Sequence, residues 1–226
     1  MGRKFKIDRY PFDDELKVHE KGVITFEPGL TVLVGCNGSG KSTLLHMLEE
    51  RLSKENIPVI MFDTLNSTKN AISNAIYSDN LAFAARNWTA SEGERMSLSV
   101  CRFAGQLRSF VLSGKNEKSR LRALFDKEKK EITSNERWIL IDSADSGLSI
   151  DALQEVRNFI DLVIDDGRKN GKEVYIVVST NQYELAAGNS CLDVQRLIPV
   201  TVKTYTRYRQ LIINSRKRKD KRDGNR

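Results

Sequence analysis

Short uncharged apolar runs alternate along the chain with stretches in which apolar residues return every three or four positions. Leu30-Thr31-Val32-Leu33-Val34, Val59-Ile60-Met61-Phe62, Trp138-Ile139-Leu140-Ile141 and Val174-Tyr175-Ile176-Val177-Val178 are the uncharged runs. They are too short for globular helices and rich in β-branched and aromatic residues, so each predicts a buried strand. Leu44, Leu45, Leu48 and Leu52 share one helical face, as do Met96, Val100, Phe103, Leu107 and Phe110, and again Leu153, Val156, Ile160 and Val163. The first of these helices should stop before Ile57-Pro58, because Pro58 steers Ile57 away from the α region. Leu16 to Phe26 predicts strand material broken by a turn near Glu20-Lys21-Gly22. Glu27-Pro28-Gly29-Leu30 then places Pro and Gly at the centre of a type II turn. Tyr205 to Ile213 predicts a short terminal helix. Uncharged strands alternating with amphipathic helices imply an α/β fold, a mostly parallel sheet covered on both faces.

Between the first of these strands and its helix lies Gly35-Cys36-Asn37-Gly38-Ser39-Gly40-Lys41-Ser42-Thr43, which fits G-x-x-x-x-G-K-[ST]. Its chemistry is phosphate binding. Glycines let the backbone curl so that several N–H groups converge on one anion. Lys41 reaches the β- and γ-phosphates, Ser42 offers a hydroxyl to Mg²⁺, and the helix that follows adds its positive end. Cys36 inside the loop reads either as an ordinary small side chain or as a thiol activated by nearby amides and Lys41.

Composition narrows the class. The 226 residues are 39% apolar and 30% charged, with no run long enough to cross a membrane. Met1 to Lys6 has no apolar segment behind it, so no secretory signal is expected. The three cysteines are scattered without a Cys-x-x-Cys pair. A cytoplasmic protein without disulfide framework or zinc site fits that usage. Of the net charge of +7, Arg216 to Arg226 carries +5 (seven basic and two acidic residues), leaving the body near neutral. That segment, 216–226, is expected as a disordered basic tail beyond a single domain spanning 1–215. It could also contact nucleic acid phosphates non-specifically. Lys115 to Arg137 is dense in charge and reads as an exposed helix or helical insert.

Three further segments bear on the nucleotide. Ser91-Glu92-Gly93-Glu94 precedes the Met96–Phe110 helix and forms an S-x-x-E capping box. Trp138-Ile139-Leu140-Ile141-Asp142 is a buried strand ending in an acid, expected beside the phosphate loop, followed by Asp145-Ser146-Gly147-Leu148-Ser149. Val177-Val178-Ser179-Thr180-Asn181 is another strand end. In this order and spacing the segments resemble the signature, Walker B, D-loop and switch of ABC-type ATPase heads, similar to the SMC/RecF-like AAA family group. The resemblance runs over about residues 16 to 213. It implies a P-loop NTPase of ABC-ATPase type, with an N-terminal antiparallel β portion and a small helical lobe at approximately 65–135.

By resemblance, Gly35, Asn37, Gly38, Ser39, Gly40, Lys41, Ser42 and Thr43 would wrap the triphosphate of ATP. Ser42 and Asp142 would hold Mg²⁺. Ser91, Gly93 and Glu94 would present a helix end to the γ-phosphate held by a second subunit, so that ATP joins two heads head to tail as a homodimer or heterodimer. Two positions depart from the pattern: Ser143 stands where the family places its water-activating glutamate, and Asn181 where it places the switch histidine. Serine is no comparable base, and an amide cannot carry the proton an imidazole can. Loss of a general base typically costs roughly 10²–10⁴ in rate. The expectation is therefore ATP and Mg²⁺ binding with slow or absent hydrolysis, with Asp142, Ser143 and Asn181 as the catalytic positions. His19 and His46 are expected to be structural, the former in a strand far upstream. No heptad arm separates Lys41 from Ser91, and Tyr10 and Phe12 are candidates for stacking on the base. Three readings stay open: an ATP-driven dimerising head, a nucleotide sensor that recruits a protein partner, and a nucleic-acid accessory factor acting through the basic tail.

Overall fold

The computed structural model describes residues 2–7, 18–20, 22–63, 107–115, 133–144 and 149–224. Its strands form two sheets. β1 (Arg3–Ile7) and β2 (Gly22–Phe26) pair antiparallel, Arg3 opposite Phe26 and Ile7 opposite Gly22. The larger sheet contains β3 (Gly29–Val34), β4 (Val59–Asp63), β5 (Glu136–Asp142), β6 (Glu173–Ser179), β7 (Ser190–Asp193) and β8 (Ile198–Val200). Their spatial order is β4-β5-β6-β3-β7-β8, with every pairing parallel except that of the edge strand β8. The helices are α1 (Lys41–Lys54), α2 (Ile150–Lys169), α3 (Tyr183–Ala186) and α4 (Tyr205–Gly224), with a further helical segment at 107–113. This is the expected α/β fold, a mostly parallel sheet flanked by helices with a small antiparallel sheet beside it.

Alternation along the strands builds the two layers. Trp138 and Leu140 of β5, Tyr175 and Val177 of β6 and Leu33 of β3 face α1, where Leu44, Leu45, Leu48 and Leu52 are fully buried. The small sheet joins the same layer through Phe5, Ile7, Ile24 and Phe26. Trp138 is its centre. The indole stacks on Tyr175 at 4.3 Å and meets Phe5 and Phe26 edge-on, while its N–H donates to Glu136 at 2.8 Å. On the opposite face Ile139, Ile141, Ile176 and Val178 pack against Leu153, Ile160 and Val163 of α2 and against Leu107, Phe110 and Val111. Val32 and Val34 of β3 meet Tyr208 and Leu211 of α4. With both strand faces covered, the uncharged stretches Trp138–Ile141 of β5 and Val174–Val178 of β6, and the uncharged β3, are explained.

The structure departs from the sequence reading in four places. Residues 18–20 are not strand, so His19 is not in one. The strand ending in Asp142 does not lie beside the phosphate loop, because β6 inserts between β5 and β3. β7 and β8 were not foreseen; they are only four and three residues long, and Pro199 sits on the edge strand. The basic run at 216–224 is not a disordered tail but the second half of α4, which extends eleven residues beyond Ile213. Most of the region expected as a helical lobe lies outside the described residues.

Candidate functional site

The ends of β3, β5 and β6 open on the same edge of the sheet, and the phosphate loop rises from β3 into α1. Three geometric features fit the loop to an anion. Gly38 and Gly40 have φ of +73° and +98°, a region that side chains rarely adopt. α1 begins at Gly40 with no side-chain cap and no acid in its own first turn, so its positive end is not neutralised from within the helix. Ser39 is buried, and its hydroxyl has no hydrogen-bond partner among the described residues. A Cβ on Gly35 would overlap the Ser39 hydroxyl, so glycine there lets the loop close on itself.

Lys41 is folded back over this loop. Its ammonium donates to the carbonyl oxygens of Gly35 at 2.8 Å and Cys36 at 3.3 Å, and to Oδ1 of Asn181 at 3.1 Å. Asn181 follows β6, the strand that neighbours β3. Insertion of β6 also gives Asp142 a partner that the motif did not predict. Ser179, buried at the end of β6, donates its hydroxyl hydrogen to Asp142 Oδ1 and accepts the backbone N–H of Ser143 at 2.8 Å. Ser143 has φ of +52°, a left-handed conformation for a residue with a side chain. Such backbone costs about 1 kcal/mol or more and persists only where neighbours enforce it, as Ser179 does here.

A cavity of about 300 Å³ joins these parts. Asn37, Gly38, Gly40, Lys41, Ser42 and Thr43 line it from the loop and α1, and Asp142, Ser143 and Asn181 from the ends of β5 and β6. The structure thus brings together all three expected catalytic positions and both expected metal-holding residues. Gly35 and Ser39 support the loop from behind. Ser91, Gly93 and Glu94, with Asp145 to Leu148, Tyr10 and Phe12, lie outside the described residues. Cys36 is buried, and its N–H is held by the Ser215 hydroxyl at 3.0 Å.

Two walls of the cavity were missed. Val18 lines it, and a Cβ on Gly40 would overlap Val18 and lie 2.7 Å from the His19 ring. His19 is almost fully buried; its Nδ1–H donates to the Val194 carbonyl at 2.9 Å, and its Nε2 has no partner among the described residues. Burial holds its pKa below the usual 6.5, aided by the charge on Arg222. Arg222 of α4 is the other wall. One signal for it was present: Ser215, Arg218, Lys219 and Arg222 are spaced three, four and seven apart, which puts them on one face once the run is helical. His46, in contrast, is exposed on α1 beside Glu49.

Among the described residues no helix is long and apolar enough to cross a membrane. No curated protein matches the chain. A family of P-loop NTPases, the AAA domain, matches residues 24–185, from β2 through the loop, β5 and β6 to α3. That span holds every strand end and loop of the cavity except the two walls at Val18 and Arg222, and the chain belongs to the AAA domain family, whose membership implies nucleotide binding.

Proposed function

We propose that the protein is an ATP-binding head of ABC type whose occupied form closes head to tail on a second head, with hydrolysis slow or absent. The observation that carries this reading is the single cavity in which Lys41, Ser42, Asp142, Ser143 and Asn181 meet. Bound there, ATP with Mg²⁺ supplies a polyphosphate anion and a cleavable phosphoanhydride. The loop amides and the end of α1 would hold the phosphates. Lys41, whose ammonium donates to the Gly35 and Cys36 carbonyls and to Asn181, would reach the β- and γ-phosphates, charged acceptors that make stronger bonds than neutral ones. Ser42 and Asp142 would hold the metal, with Ser179 fixing one Asp142 oxygen.

The same cavity has no comparable general base at residue 143. The Ser143 hydroxyl does not accept a proton near neutral pH, and Asn181 is an amide that already receives a bond from Lys41. Those two positions support a second reading, a nucleotide sensor in which ATP orders a surface for a protein partner and turnover is incidental.

Calorimetry with ATP·Mg²⁺ tests the binding claim; no heat at millimolar nucleotide would end both readings. Light scattering with and without ATP·Mg²⁺, with turnover measured on the same sample, separates them. A doubling of mass with little phosphate release supports the closing head, and an unchanged mass with saturable binding supports the sensor.

A further inference from the structure

The second half of α4 divides sharply by helical spacing. Arg216, Lys217, Asp220 and Lys221 are exposed, whereas Ser215, Arg218, Lys219 and Arg222 turn toward the loop and are buried or half-buried. Each inward residue has a defined contact. Ser215 accepts the Cys36 N–H and donates to Gln195 at 2.8 Å. Arg218 bridges Asp193 at 2.7 Å and Gln195 at 3.1 Å. The Lys219 chain packs on Gly38, its Cε 2.7 Å from where a Cβ would stand. Arg222 donates from Nη2 to the Gly38 carbonyl at 3.3 Å and from Nε to Asp223 at 2.9 Å, and it lines the cavity with Lys41.

We infer that Arg222 is a phosphate-contacting residue, a cation supplied to the nucleotide's polyphosphate by the C-terminal helix of the same chain. This rests on the nucleotide-binding reading above and adds a second cation to it. Lys219 and Arg222 share the single carboxylate of Asp223, so a net positive charge remains against the loop. The Gly38 contact is long and neutral, and a phosphate oxygen is a better partner for a guanidinium. The planar fork also suits two phosphate oxygens at once, which an ammonium does not. Ser215 and Arg218 anchor the helix on Cys36, Asp193 and Gln195, so the Arg222 side chain is delivered from a fixed base.

Calorimetry on the full chain tests it, with ATP·Mg²⁺ as probe. Arg222→Gln keeps a donor for the Gly38 carbonyl but removes the charge, and should weaken ATP binding about ten- to a hundredfold. Arg222→Lys should recover part of that loss, and Lys221→Gln on the exposed face should change nothing. Wild-type-like affinity in Arg222→Gln overturns the inference, as does a loss that tracks melting temperature and is not recovered by lysine. Wild-type protein provides a test free of folding effects: phenylglyoxal labelling read by peptide mass. ATP·Mg²⁺ should slow labelling of Arg222 at least fivefold while leaving Arg216 unaffected, and equal rates with and without nucleotide overturn the inference. If the wild type binds no ATP, the nucleotide-binding reading fails with it; if the wild type binds and Arg222→Gln binds equally, only the Arg222 assignment fails.

Discussion

The cavity has two sides of unequal completeness. The side built from the loop and α1 carries groups suited to a phosphate: left-handed glycines, an uncapped helix start and a lysine folded over them. The side built from the ends of β5 and β6 keeps the acid, Asp142, and supports it carefully through Ser179. It offers a hydroxyl and an amide where proton transfer would be done. Holding a polyphosphate needs directed N–H groups and positive charge, whereas cleaving it also needs a base matched to water. On the proposed reading, possession of the first without the second would separate binding from turnover, and the contrast can be broken from either side.

The largest effect should come from completing the weaker side. Ser143→Glu places a carboxylate next to Asp142 at a residue whose backbone is already fixed by Ser179, and ATP turnover should rise by about 10²–10⁴. An unchanged rate would show that the deficit extends beyond residue 143, and adding Asn181→His to that variant would then locate it. Next is removal of the stronger side's charge. Lys41→Ala should cut ATP affinity by about a hundredfold, a change read by calorimetry, while the melting temperature moves little. Smaller again is Gly40→Ala. The added Cβ meets Val18 and the His19 ring at a residue with φ of +98°, so the fold should lose about 1–3 kcal/mol in a denaturant titration. A neutral result would mean that residues 18–19 can move off the loop.

Legibility in the sequence followed the same division. The loop and α1 were readable because glycine, lysine and the leucine stripe act locally, over fewer than twenty consecutive residues. The central runs of β3, β5 and β6 were readable because burial on both faces keeps charge out of Val32–Val34, Trp138–Ile141 and Val174–Val178, and half-buried β4 through its own apolar run, Val59–Phe62. The place of β6 between β3 and β5 was not, since strand order depends on long-range pairing that no local pattern encodes. The contact of Ser179 with Asp142 is hidden for that reason: it forms only when β5 lies beside β6. Arg222 was hidden differently. Its charge was visible, but counted with ten neighbours as a tail. Only the helical register of α4, and the Asp193–Gln195 turn that anchors it, separates the inward residues from the solvated ones.

The smallest expected effect concerns His19, which ties residues 18–20 to the phosphate-holding side. Its ring donates to Val194 and packs against Gly40, and burial holds its folded pKa below 6.5. A depressed histidine means the unfolded chain binds the proton first. Its contribution to stability is therefore complete above about pH 7 and is lost as pH falls below 6.5, by at most about 1.4 kcal/mol per pH unit. Arg222 adds to the penalty, because a protonated His19 would face a second cation across the cavity edge. Comparing urea midpoints at pH 7.5 and 5.5 should show a steeper loss in the wild type than in His19→Gln, which keeps a donor for Val194 but does not titrate. Parallel slopes would mean that the ring leaves its pocket before it is protonated, so that residues 18–20 are only loosely held against the loop. A steeper wild-type slope, with ATP affinity falling in step at acid pH, would show that this packing holds the loop in its binding shape.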